Sequence, residues 1–267
     1  MRSKDLITLF NSLSRSDFEI TAANTSIQEP GLDFRPNTVC VEDAFFGDSG
    51  KGSVTAKFNH ILNKQNNLLS IRFNGGANAG HETLMNGKLI VTHQVPTGII
   101  HEGATVLMTR GMVIHPQDLV SELEEIRSLF NGDLPAKLII DERTTLSLDT
   151  HRAFEGALNS ITTGGHGATG RGIAAAYASH YERIPVTLKD LLSSDWEDKL
   201  RAHYHLYAAL ISGFPDAQNL SDAQVVTHAQ ARRAVGTLDV FIQRLQEARA
   251  VLRQYASSDV FNLLETT

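Results

Sequence analysis

Short apolar runs rich in β-prone residues recur along the chain. TVCVEDAFF from Thr38, LLSIRF (Leu68 to Phe73), KLIVTHQV (Lys88 to Val95), TVLMT (Thr105 to Thr109) and KLIID (Lys137 to Asp141) each predict a strand. Between them the period changes to that of a helix. Val54, Phe58, Ile61 and Leu62 share one face, as do Leu119, Leu123, Ile126 and Phe130 behind Pro116, which suits a first helical position. After Pro185 the pattern is mostly helical, and Leu238, Ile242, Leu245, Ala248 and Leu252 predict a last amphipathic helix. DVFNLLETT at the end reads as one more strand. Strands alternating with helices predict an α/β fold with a mainly parallel central sheet and a helical segment in the C-terminal third. Residues 1–36 are turn-rich and polar behind one short apolar face, and are expected to be an N-terminal extension without catalytic duty; the α/β domain is expected over 37–267.

Composition narrows the class. Of 267 residues, 42% are hydrophobic and 20% charged, enough to bury a core and unlike a disordered chain. The formal charge of −6 gives no general basic surface for nucleic acid or an anionic membrane. One cysteine, Cys40, excludes an internal disulfide and a cysteine-based zinc site. The start lacks the uninterrupted apolar stretch of a secretory signal, and no run approaches the roughly 20 apolar residues that span a bilayer. The expectation is a soluble, cytoplasmic protein with neither nucleic acid nor membrane as partner.

Three glycine-rich stretches carry the candidate chemistry, two of them directly behind predicted strands, where open parallel sheets place their ligands. GDSGKGS (Gly47 to Ser53) lies between a strand and a helix, an order that aims backbone N–H groups at an anion. Its spacing departs from the Walker A pattern, so it predicts a related phosphate cradle with Lys51 as point charge. Asp48 in that turn suits a helix cap, a Mg²⁺ ligand or a proton acceptor. NGGANAGHETL holds Asn74, Asn78 and His81 among small residues that let a backbone approach a ligand. HGATGRG, with Thr169 and Arg171, suits a further anion contact. The HYH triplet at 203–205 is a poor chelator, because residues two apart on a helix point away from each other.

GDSGKGS, NGGANAGH and HGATGRGI followed by Tyr177, in this order, resemble the adenylosuccinate synthetase signatures GDEGKGK, QGGxNAGHT and GTTGRGIGPAY. HQVPTGI (His93 to Ile99) and RGMVIHP are similar to further landmarks of that family, and the resemblance runs from Thr38 to at least Leu192. It implies a P-loop-NTPase-like fold with glycine-rich ligand loops at the strand ends. It also implies purine nucleotide biosynthesis, by GTP-dependent ligation of L-aspartate to IMP through a 6-phosphoryl intermediate, with Mg²⁺. By the same resemblance Asp48 corresponds to the catalytic base and a magnesium ligand, His81 to the catalytic acid, and the Gly80 carbonyl to a second magnesium ligand. Gly47, Gly50, Lys51 and Gly52 correspond to the phosphate loop, and Asn78 and Thr169 to IMP contacts. Arg183 corresponds to an arginine that reaches the IMP phosphate of a neighbouring subunit, which implies a homodimer.

The sequence departs from the family at several points. Ser49 stands for Glu, Ser53 for the Lys frequent in bacterial members, and Ala168 for the first threonine of GTTGRG. Glu82 replaces the threonine after the histidine, and a carboxylate there is expected to repel nucleotide phosphates unless a cation offsets it. Family members are considerably longer, so the chain is expected to lack their C-terminal part, with its aspartate-binding loop and guanine-recognition segment. Two alternatives remain at this point: a nucleotide-binding relative or fragment without turnover, and a phage-type relative acting on deoxyguanylate, against which the presence of Asp48 speaks.

Overall fold

Parallel pairing of four strands organises the protein. The computed structural model describes residues 19–20, 39–42, 50–63, 68–85, 87–161, 169–213 and 235–260. In chain order the elements are β1 (Glu19–Ile20), α1 (Lys51–Asn63), β2 (Leu69–Arg72), β3 (His81–Met85), β4 (Lys88–Thr92), a 3-10 turn (Thr97–Ile100), β5 (Thr105–Met108) and β6 (Val113–Ile114). They continue with α2 (Pro116–Leu129), β7 (Lys137–Asp141), β8 (Thr145–Leu146), α3 (Asp149–Ile161), α4 (Ile173–Tyr181), α5 (Leu188–Leu192), α6 (Trp196–Ser212), α7 (Leu238–Leu252) and β9 (Ala256–Ser257).

The main sheet has the order β2-β5-β7-β9, with all neighbours parallel. Its centre is a continuous apolar run, as expected of strands covered on both faces. Val106, Met108 and Ile140 have no exposed surface. The hairpin β3–β4 is antiparallel, with His81 opposite Thr92, and β1 adds to its other side in parallel. β6 and β8 form a separate parallel pair.

Helix α2 begins as its sequence predicts. Pro116 takes the first turn, and the His115 side chain accepts the Asp118 N–H at 3.3 Å. Leu119, Leu123 and Ile126 are buried in the core together with Phe241, Leu245 and Leu252 of α7. Helix α5 starts with a reciprocal cap in which Thr187 accepts the Asp190 N–H and Asp190 accepts the Thr187 N–H.

Four expectations are corrected. HETLM, read within a loop, is the strand β3, because it has KLIVT as an antiparallel partner. The terminal strand lies earlier than DVFNLLETT: Ala256–Ser257 pairs with β7, Val260 is helical, and 261–267 lie outside the described residues. Within α1 the face with Gly52, Ala56, Lys57 and Asn59 is the buried one, while Val54, Phe58, Ile61 and Leu62 are half-buried. Of TVCVEDAFF, residues 39–42 form no strand and the rest after Glu42 lies outside the described residues. Among the described residues, no helix is long and apolar enough to cross a membrane.

Among the described residues, His101, His151 and His203 are buried away from the glycine loops. His151 accepts the Leu148 N–H through Nδ1 at 3.0 Å and meets the ring of Tyr207 edge-on. His203 Nε2 lies 2.8 Å from the Thr150 hydroxyl, and its ring stands 4.9 Å from that of His151. His205, two residues on, is exposed, as the helical geometry requires. His101 is buried beside His60. Burial lowers the pKa of His101 and His203 to about 4, and it also holds that of His151 well below its ordinary value.

In the unfolded chain these imidazoles titrate near their ordinary value of about 6.5, so between there and pH 4 the unfolded state binds protons that the folded state does not. Stability is therefore full above pH 6.5 and falls as pH drops towards 4, each buried histidine adding up to about 1.4 kcal/mol per pH unit to the slope. Urea midpoints should fall steeply from pH 7 to pH 4.5, and His203→Gln should flatten that slope. A midpoint independent of pH in this window would contradict the assignment of neutral buried histidines.

Candidate functional site

The segment leaving β2 at its C-terminal end is held by a charge that the strand itself carries. Arg72 is the last residue of β2, and its guanidinium is spent on backbone carbonyls. Nη1 donates to His93 O (2.6 Å) and Gln94 O (2.9 Å), Nη2 to Gly76 O (3.0 Å) and Nε to Asn74 O (3.3 Å). One planar fork thus joins the glycine loop 74–80 to the strap 93–95 behind β4.

The strap is gripped from its other side by Glu122, a buried residue of α2. Its carboxylate accepts the N–H groups of His93 (2.9 Å), Gln94 (2.9 Å) and Val95 (3.0 Å). Burial pushes the Glu122 pKa up, while these N–H groups pull it back. Gln94, fully buried, accepts the His115 N–H at 2.7 Å and so ties the strap to the start of α2. His93 lies 2.7 Å through Nδ1 from Ala79 O; the carbonyl accepts, so Nδ1 carries the hydrogen.

His81 opens β3 directly behind this loop and faces the start of α1. A β-carbon at Gly52 would lie 2.7 Å from the imidazole ring, so only glycine permits this approach. The turn carrying Gly50, Lys51 and Gly52 and the loop carrying Asn78, Gly80 and His81 are thereby brought together. Asn78 and Gly80 are exposed, Lys51 half-buried. Burial first, then the nearby Arg72, Lys51 and His93, lowers the His81 pKa to about 4. The imidazole is therefore neutral at pH 7, with one ring N–H able to donate a hydrogen bond. Glu82 follows His81 on the strand, opposite Val91, and is exposed. Successive strand side chains point to opposite faces, so Glu82 points to the face opposite that of His81. Gly47 and Asp48 lie outside the described residues.

The third glycine stretch meets the second through Tyr177, whose hydroxyl accepts the Gly75 N–H at 3.2 Å and donates to Gly111 O at 2.9 Å. Gly172 caps α4 with φ of +71°, and its N–H donates to Glu155 at 2.9 Å. A β-carbon there would be strained and would lie 2.8 Å from the Arg152 nitrogen. Thr169 is exposed. Arg171 and Arg152 both reach the Asp118 carboxylate, with Arg171 Nη1 at 3.4 Å. Burial tends to raise the Asp118 pKa, but the adjoining His115 ring and Arg152 guanidinium hold it well below the usual carboxylate range. Arg183 lies beyond the C-terminal end of α4, in a left-handed conformation with φ of +65° and exposed. A nine-residue helix separates it from Gly172, roughly 14 Å at about 1.5 Å per residue, so it stands apart from the cluster of its own chain.

Among the described residues, no group of three or more His, Cys, Asp and Glu side chains is placed to hold a metal. The donors implied for Mg²⁺, the Asp48 carboxylate and the Gly80 carbonyl, are oxygens, which suits a hard cation. Gly80 is exposed, and a β-carbon there would meet only the His93 ring at 3.9 Å, so its surroundings leave space for an ion with its water or phosphate ligands.

Arg72, His93 and Glu122 were not recognised from the sequence as site residues. A signal existed: Arg72 lies inside the mostly apolar run LLSIRF, and Glu122 stands beside Leu123 on the buried face of α2. A charge in such a position requires a partner.

The model of the family described as adenylosuccinate synthetase matches residues 40–263. The adenylosuccinate synthetase of Cyanothece sp. is 34% identical over 158 residues, covering 58% of this chain and 34% of that protein. That of Chlorobium chlorochromatii is 30% identical over 220 residues, covering 79% of this chain and 49% of that protein. The chain thus spans half or less of the length of these relatives. The fold matches the solved, fully ligated adenylosuccinate synthetase of Plasmodium falciparum with a TM-score of 0.60 at 22% identity, covering 82% of this chain and 46% of that one. Matched over most of its length by the family model, the chain belongs to the adenylosuccinate synthetase family.

Proposed function

We propose that the chain carries the phosphoryl-transfer half of a GTP-dependent ligation of L-aspartate to IMP. The observation that carries this reading is the approach of Gly52 to His81, which places a glycine turn at a helix start against a neutral imidazole donor. Amides at the start of α1, with Lys51, bind and orient the triphosphate. Asp48 takes the N1 proton of the purine, and the electron pair moves to O6, which attacks the γ-phosphorus as the bond to the β-γ bridging oxygen breaks. His81 donates a hydrogen bond to charge developing on the transferring group. Asn78 and Thr169 orient the purine nucleotide. The aspartate amine then attacks C6, a proton leaves the nitrogen, and phosphate departs with O6. When bound, Mg²⁺ would be held by Asp48 and the Gly80 carbonyl and would neutralise phosphate charge. Arg183, apart from the cluster of its own chain, would serve a second copy in a homodimer.

Two variants test the reading in rapid-quench single turnovers with GTP, IMP and Mg²⁺, with aspartate omitted. Asp48→Asn should lower the rate of phosphoryl transfer by about 10²–10⁴-fold, the usual contribution of a placed base, while calorimetric nucleotide binding stays close to that of the wild type. Equal rates would remove Asp48 from the base role.

Gly52→Ala should push the imidazole of His81 aside and slow the step by about 10²-fold, the cost of roughly 1 Å of misplacement. Retained GTP binding with this loss would tie the defect to alignment. A wild-type chain that binds both nucleotides yet transfers nothing would favour the binding-only reading instead.

A further inference from the structure

We propose that Glu122 is a positioning residue for the loop 74–81, acting at a distance through the backbone of residues 93–95. The argument rests on geometry. The strap His93–Val95 offers three consecutive N–H groups to the Glu122 carboxylate at 2.9–3.0 Å. On its opposite edge the carbonyls of His93 and Gln94 accept from Arg72 at 2.6 and 2.9 Å. A negative and a positive side chain therefore clamp the same peptide groups from two sides. The clamped residue His93 donates through its ring to Ala79 O, next to Gly80 and His81. Arg72 itself continues to Asn74 O and Gly76 O in the same loop. Loop position is thus set by a helix in the core rather than by the loop's own short side chains.

The carboxylate is suited to this task and its amide is not. A carboxylate is acceptor-only and can face three donors, whereas the NH₂ of a glutamine would oppose one or more of those N–H groups. Glu124 and Glu125 on the same helix are exposed, so they carry the same charge without the contact.

The test compares Glu122→Gln with Glu124→Gln in the full chain, reading amide hydrogen exchange at residues 74–81 and the ¹⁵N tautomer signature of His93. Glu122→Gln should speed loop exchange by about tenfold or more, the equivalent of one lost hydrogen bond, and erode the Nδ1–H tautomer of His93. Protection of β5 and β7 should stay unchanged, and Glu124→Gln should match the wild type. A folded Glu122→Gln chain with wild-type loop exchange and tautomer would overturn the proposal. Should that variant fail to fold, His93→Ala cuts only the exposed ring contact to Ala79. Faster exchange at residues 78–81 in it supports the linkage, and unchanged exchange overturns it.

The catalytic consequence rests on the proposed function. There, Glu122→Gln should lower the single-turnover rate far more than it raises the half-saturating IMP concentration. A wild-type chain without phosphoryl transfer would sink the proposed function, while the exchange and tautomer measurements would still decide this inference.

Discussion

Two side chains of opposite charge, half-buried Arg72 and buried Glu122, are separated by a stretch of backbone rather than touching each other. A charge removed from water is tolerated only with its hydrogen-bonding capacity filled. Here peptide groups of residues 93–95 fill it, their dipoles lying between cation and anion. The arrangement satisfies backbone that leaves β4 without a sheet partner, and it fixes where the next loop can run. The loop 74–80 has no regular structure of its own, so its conformation depends on these outside anchors.

Around that anchor the glycine motifs divide their work. Gly52 removes a side chain so that a helix start and an imidazole can meet, whereas Gly172 supplies a backbone conformation at the head of α4. Tyr177, from the middle of α4, reaches the loop behind β2 and the turn behind β5 with one hydroxyl. The parts that resemble nucleotide-binding motifs are therefore joined by residues outside those motifs. Changing the chemistry at the site need not disturb the core, but changing the core helix α2 reaches the site directly.

Much of the fold was legible from period and punctuation. KLIID coincides with β7, and Pro116 and Leu238 mark the starts of α2 and α7, because long-range packing and local preference agree there. HETLM was not legible as a strand: its polar first residues and glycine-rich surroundings hide a pairing set by KLIVT after a tight turn. The apolar residues of α1 misled for the opposite reason, since the face turned inward is chosen by Gly52 and by the Asn59–Thr97 hydrogen bond of 3.0 Å. For the site, order and spacing of the glycine motifs named the loops. They do not reveal Glu122, whose one mark in the sequence is a charge on the apolar face of a helix, with nothing to say which backbone it meets.

The sharing of Asp118 by Arg152 and Arg171 has an electrostatic consequence. Asp149 likewise faces Arg244 at 3.3 Å, so two carboxylates are set against three guanidinium groups, of which Arg171 is about half exposed. Glu155, which accepts the Gly172 N–H next to Arg171, brings the carboxylates here to three, so three anions face three cations in a chain whose overall charge is −6. Such a cluster acts through short contacts rather than through a long-range field. The Debye length is about 8 Å at physiological ionic strength, so added salt should weaken the net repulsion of the molecule well before it loosens these partly buried pairs.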